Sequence, residues 1–171
     1  DGEPQLFDVN GIWSSDSNIN HPGGWGTILV VGMRFGGGEI TVVDPNSNAD
    51  SDPSDDLTLR SSYLIFDVTD PEMPPELIGE INHPDMGYTS SIPSLVKHRA
   101  SGTNGWYLAF GSGPTGTTAD ARKKALKQGV SDKTAKIFFY DLAGRTMDVL
   151  ETNIANSFVG GITTADWNND Y

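Results

Sequence analysis

Cysteine is missing from all 171 residues, which excludes disulfides and zinc–thiolate sites and leaves the redox compartment undetermined. Basic residues are scarce: 11 Lys+Arg stand against 23 Asp+Glu, for a formal net charge of −12. So acidic a surface repels phosphate backbones and anionic lipid, and neither nucleic acid nor a membrane surface is expected as a partner. No apolar run approaches the ~20 residues of a membrane-spanning helix, so no membrane insertion is expected. The opening DGEPQLFDVN has neither a signal-peptide pattern nor an initial Met, and the chain reads as mature or excised material. Sustained helical periodicity is lacking as well. Turn-formers are plentiful, with Gly 20 and Pro 10, and so are the oxygen ligands that suit hard cations. The balance predicts an all-β chain.

The apolar runs are short and rich in β-branched and aromatic residues: Thr27–Val31, Tyr63–Phe66, Leu77–Ile81, Tyr107–Phe110, Ile137–Tyr140 and Val149–Leu150. They recur in order. PQLFDV at Pro4 matches PSLVKH at Pro93, and GWGTILVVG at Gly24 matches GWYLAFGSG at Gly105. YLIFDVTDP at Tyr63 matches IFFYDLAGR at Ile137, each placing an Asp after an aromatic strand, and PELIGEI at Pro75 pairs with MDVLETNI at Met147. Four strands per unit in up-and-down order is the make-up of a β-propeller blade. The pattern predicts blade-like repeats over about 4–81 and 93–154, with the first strand of a third unit within 158–171. Two blades and a strand cannot close a propeller, which needs roughly 4–8 blades, so a segment of a larger propeller is expected.

Two insertions interrupt the repeats, at about 36–60 and 114–133. The first holds the acidic DPNSNADSDPSDD (Asp44–Asp56), which reads as a solvated loop that could also bind a cation. The second contains TADARKKALKQG, where Thr118 can cap and Gly129 can end a short helix. Its Arg122, Lys123, Lys124 and Lys127 form the basic cluster, read as a solvated helix face.

Several patterns suggest chemistry. Asp166, Asn168 and Asp170 form D-x-N-x-D, which supplies oxygens at positions 1, 3 and 5 of a calcium loop, with Tyr171 in the sixth position. Gly111–Gly116 spells G-x-G-x-x-G between a strand and the short helix, the outline of a dinucleotide fingerprint. The repeat partner of the preceding strand has no helix behind it, so a plain loop is expected here. His21 and His83 lie in a repeated Asn-His-Pro, which favours a turn role over ligation. Trp25 and Trp106 occupy matching strand starts and read as packing aromatics. No nucleophile–base constellation can be assembled, so no catalytic residue is expected.

The segments HPGGWGTILVVGMRFGGG (His21–Gly38), YLIFDVTDPEMPPELIGEI (Tyr63–Ile81) and GWYLAFGSGPTG (Gly105–Gly116) resemble the β-propeller domain of the PilC/PilY family, as do KIFFYDLAG and TTADWNNDY. Members are type IV pilus biogenesis factors and tip adhesins. The resemblance implies a non-enzymatic calcium-binding propeller with Asp166, Asn168 and Asp170 as metal ligands. It also implies a cell-surface, pilus-associated location on a bacterial outer membrane. Its partners would be the remaining blades, minor pilin components and a host or surface ligand. The rival expectations are a quinoprotein-type propeller dehydrogenase fragment and a generic protein-interaction propeller.

Overall fold

A computed structural model describes residues 2–13, 20–43, 56–100 and 103–165. The elements run β1 (Gln5–Asn10), β2 (Trp25–Gly32), β3 (Ile40–Val42), β4 (Leu57–Leu59), β5 (Tyr63–Asp67), β6 (Glu76–Ile81), β7 (Ser94–Ala100) and β8 (Thr103–Gly111). Helix α1 (Ala119–Gln128), β9 (Lys136–Asp141) and β10 (Met147–Glu151) complete them. The chain is mostly β with antiparallel sheets, as the turn-rich, β-branched sequence predicts.

One four-stranded sheet has the order β1-β2-β5-β6 and another has β7-β8-β9-β10, and β3 pairs β4 in a separate hairpin. The four repeated runs thus form two meanders with the same strand order. Neither sheet closes on itself. The loop expected over Asp44–Asp56 in the first insertion lies, but for Asp56, outside the described residues. The insertion's two ends, Ile40–Val42 and Leu57–Leu59, are three-residue strands paired to each other. The second insertion behaves as predicted: the Thr118 hydroxyl accepts from the Ala121 N–H, and Gly129 closes α1 at φ 60°. From residue 158 to 165, where the third unit's first strand was expected, no strand pairing forms among the described residues.

Strand β2 shows why the sheets face each other. Along WGTILVVG the buried positions alternate, Gly26, Ile28, Val30 and Gly32, so one face of the first sheet turns inward. That face meets Leu108, Phe110, Phe138 and Tyr140 of the second sheet in one hydrophobic cluster. The Tyr63 ring lies 4.8 Å from Phe110, which stacks on Phe138 at 5.5 Å. Burying each of these rings contributes about 2–3 kcal/mol, with roughly 1 kcal/mol more for each ring pair. The connection between the sheets, residues 82–93, threads the same interface. It buries Met86, Thr89 and Ser91, and the Ser91 carbonyl accepts from the Tyr63 hydroxyl at 2.6 Å.

Each sheet also has an outward face. On the first, Leu6, Leu29, Phe66 and Leu77 stand opposite one another across all four strands. Leu6 and Leu77 are 64% and 55% exposed. On the second, Val96, Tyr107 and Phe139 line a depression of 360 Å³ flanked by His98 and Asp148.

Candidate functional site

The candidate calcium ligands Asp166, Asn168 and Asp170 lie outside the described residues, but the chain leading to them is held firmly. The Val159 N–H donates to the Ser112 carbonyl at 2.9 Å, and Val159 rests on Gly111, where a Cβ would come within 2.3 Å of it. The Ser94 hydroxyl then donates to the Ile162 carbonyl at 2.5 Å, and the Thr164 hydroxyl to the Leu95 carbonyl at 2.8 Å. The segment therefore crosses the outward face of the second sheet and arrives alongside β7 just before the D-x-N-x-D begins. Among the described residues, no group of three or more His, Cys, Asp or Glu side chains could hold a metal. Of the acidic stretch Asp44–Asp56, only Asp56 is described.

The repeated Asp after each aromatic strand has a structural role. Asp67 Oδ1 accepts from the Thr69 N–H and Asp141 Oδ1 from the Ala143 N–H, both at 2.9 Å, so each carboxylate closes an Asx turn. The two then diverge. Asp141 also accepts from the Gly144 N–H, whereas Asp67 turns its second oxygen to His21 Nε2 at 2.6 Å. The His21 ring stacks on Trp13 with centroids 3.9 Å apart, and its Nδ1 is buried with no partner among the described residues. Burial pushes the Asp67 carboxyl up, but hydrogen bonds from Thr69 and His21 outweigh it and hold the group below the usual carboxylate range. The Thr69 hydroxyl, which donates to Asp67, also accepts from the Thr27 N–H. This network fastens the β1–β2 connection to the end of β5.

The second Asn-His-Pro behaves as a turn: His83 Nδ1 accepts from the Asp85 N–H at 3.1 Å. Asp85 itself receives Lys133 Nζ at 2.9 Å and Lys136 Nζ at 2.8 Å. Hydrogen bonds from Lys136 and then Lys133 pull its carboxyl down to about 2, against an opposing push from burial. Lys136 continues to Glu151 at 2.7 Å, and the hydrogen bonds it donates to the Asp85 and Glu151 carboxylates raise its own pKa.

The G-x-G-x-x-G is a buried loop whose amides are already committed. The N–H groups of Gly111, Ser112 and Gly113 donate to the Ser91 hydroxyl, the Lys136 carbonyl and the Met86 carbonyl. Three of the donors that would cradle a pyrophosphate thus point at protein. The glycines admit close packing instead. A Cβ on Gly113 would lie 1.7 Å from the Tyr88 carbonyl oxygen, and one on Gly116 would lie 2.4 Å from the Ala121 backbone.

Trp25 and Trp106 meet edge to face across the two sheets at 6.4 Å, which agrees with a packing role. Trp106 Nε1 donates to Asn10 Oδ1 at 2.7 Å, and Lys97 Nζ sits 4.8 Å over its ring. In the basic helix, Arg122 reaches Glu39 at 3.2 Å and Lys123 reaches Asp120 at 3.7 Å. The His21–Asp67 pair left no spacing signal in the sequence. The β3–β4 hairpin likewise left no strand signal, since its strands are three residues each.

No family model, curated protein or solved structure matches this chain. No described helix is long and apolar enough to cross a membrane.

Proposed function

We propose that this chain is two adjacent blades and the start of a third in a larger β-propeller, belonging to a calcium-binding surface protein of the PilC/PilY kind. On this reading it acts as a scaffold in pilus assembly, extension and retraction, and in adhesion. The observation that carries the propeller reading is the pair of outward faces. Two meanders of identical strand order pack through one face each; the opposite face carries an apolar row on the first and a mixed depression on the second, where Lys97, His98 and Asp148 join Val96, Tyr107 and Phe139. A row such as Leu6–Leu29–Phe66–Leu77 needs a cover of the kind the second sheet already provides for the other side. The passage of residues 157–164 onto the second sheet's outward face, ending beside its first strand, is the route by which a third sheet would begin there.

Calcium and the pilus rest on the sequence resemblance and on the Asp166–Asn168–Asp170 spacing. In this arrangement the ion pins the loop after the opening strand of the next blade, and ion concentration sets propeller stability. The propeller reading is tested with the 171 residues alone. They are expected to bind an apolar dye and self-associate, and inclusion of the neighbouring blades is expected to abolish both. A monodisperse, cooperatively unfolding monomer that binds no dye would overturn it. Immunolabelling of the intact protein on piliated bacteria tests the location, and signal confined to the cytoplasm would refute a pilus role.

A further inference from the structure

We propose that a small cavity where the two insertions meet is a binding site for the carboxylate of an organic acid. The insertions occupy equivalent places in the two repeats, one between β2 and β5 and the other between β8 and β9. A four-stranded meander requires neither of them. The β3–β4 hairpin leaves its apolar side chains out of the core, with Ile40 and Leu57 59% and 51% exposed. What the insertions supply is charge. Glu39 before β3, Arg60 after β4 and Arg122 on α1 line one cavity, together with His83 and Tyr88 from the connection between the sheets.

Donors outnumber acceptors there. Each guanidinium offers several N–H groups, and the two share a single carboxylate. Arg122 Nη1 reaches Glu39 Oε1 at 3.2 Å and the Gly116 carbonyl at 3.5 Å. Arg60 Nε lies 3.5 Å from Glu39 Oε2 and is buried with no hydrogen-bond partner among the described residues. Glu39 is thus a loose partner to both. His83 Nδ1 accepts from the Asp85 N–H, which leaves the ring proton on Nε2 as a further donor. The Tyr88 hydroxyl stands at the same wall, 3.4 Å from where a Cβ on Gly38 would sit. Two cations against one anion make the lining positive within a chain of net charge −12. Such a spot draws an anion, and planar guanidinium groups suit a carboxylate. Size decides among anions. The cavity measures 30 Å³, and at ~15 Å³ for each water-sized group it takes the two oxygens of a carboxylate but not the four of phosphate. None of these residues belongs to the outward sheet faces, so the site stands apart from the propeller reading.

Acetate is titrated against the intact protein at constant ionic strength, with its methyl resonance reporting binding. Inorganic phosphate, followed by its phosphorus resonance, is the comparison. Acetate is expected to bind more tightly than phosphate despite its smaller charge. Arg122→Met keeps the aliphatic stem and should lose about tenfold in acetate affinity. Glu39→Gln removes the internal competitor and should tighten acetate at least about threefold, an opposite shift that a general loss of folding would not produce. The same carboxylate occurs on free acids and at peptide ends, so N-acetyl-tetraglycine and its amide form a second pair of probes. Binding of the acid form above its amide supports the proposal, and the tighter of acetate and peptide names the source. Absence of acetate binding, tighter binding of phosphate, equal binding of peptide acid and amide, or weakening by both substitutions would each overturn it.

Discussion

His21 Nε2 lies 2.6 Å from Asp67 Oδ2 with the two side chains only 7% and 11% exposed, and the repeat-related His83 makes no such pair among the described residues. The two halves of the chain therefore share strand order but not the way their connections are fastened.

Asp67→Ala should accordingly cost more than Asp141→Ala. The first leaves a buried imidazole without its acceptor, for about 3 kcal/mol. The second loses hydrogen bonds at an exposed turn, for about 1 kcal/mol. Urea midpoints of the two variants compare them directly. Equal losses would mean that His21 adds nothing beyond the shared Asx turn.

Gly113→Ala should be among the most damaging small changes in the chain. Its Cβ would meet the Tyr88 carbonyl at 1.7 Å and the Ser90 hydroxyl at 2.9 Å, where the backbone cannot yield cheaply. The expected cost is about 3 kcal/mol. Gly160→Ala, with nothing within 4 Å, should change stability by less than about 0.5 kcal/mol. Thermal unfolding midpoints check the contrast.

Asp85 should make stability depend on pH in acid. Its folded pKa of about 2 lies below its ordinary 3.8, so the unfolded chain binds the proton more readily. Its contribution is fully present above about pH 4 and disappears as pH falls towards 2. Asp85→Asn should cost on the order of 1 kcal/mol at neutral pH, because the carboxylate is partly solvated. The gap between wild type and variant should narrow below pH 4, and a gap constant from pH 7 to 2 would contradict the assignment.

Calcium should bind the intact protein through Asp166, Asn168 and Asp170. Asp166→Ala is expected to weaken binding by at least about tenfold, read by calorimetric titration. Indistinguishable titrations of wild type and variant would remove these residues from any metal site.

Much of the architecture was legible because strand signals are local. The β-branched run in GWGTILVVG, aromatic runs closed by Asp67 and Asp141, and the Thr118 and Gly129 caps each act through their own few residues. The hairpin escaped notice because Ile40–Val42 and Leu57–Leu59 are three-residue strands separated by an acidic stretch, too short for a period to register. The His21–Asp67 pair was invisible because its members stand 46 positions apart, and only the β2–β5 pairing brings them together.

By itself, then, the sequence determined the all-β character, the two repeated strand sets and the capped helix, since propensity and turn chemistry need only near neighbours. Only the tertiary structure decided which face of each sheet turns inward. It also decided that the glycines of Gly111–Gly116 serve close packing, and that the hairpin's apolar side is left in water. Those outcomes depend on which surfaces compete for burial, and that competition exists only once the chain has folded.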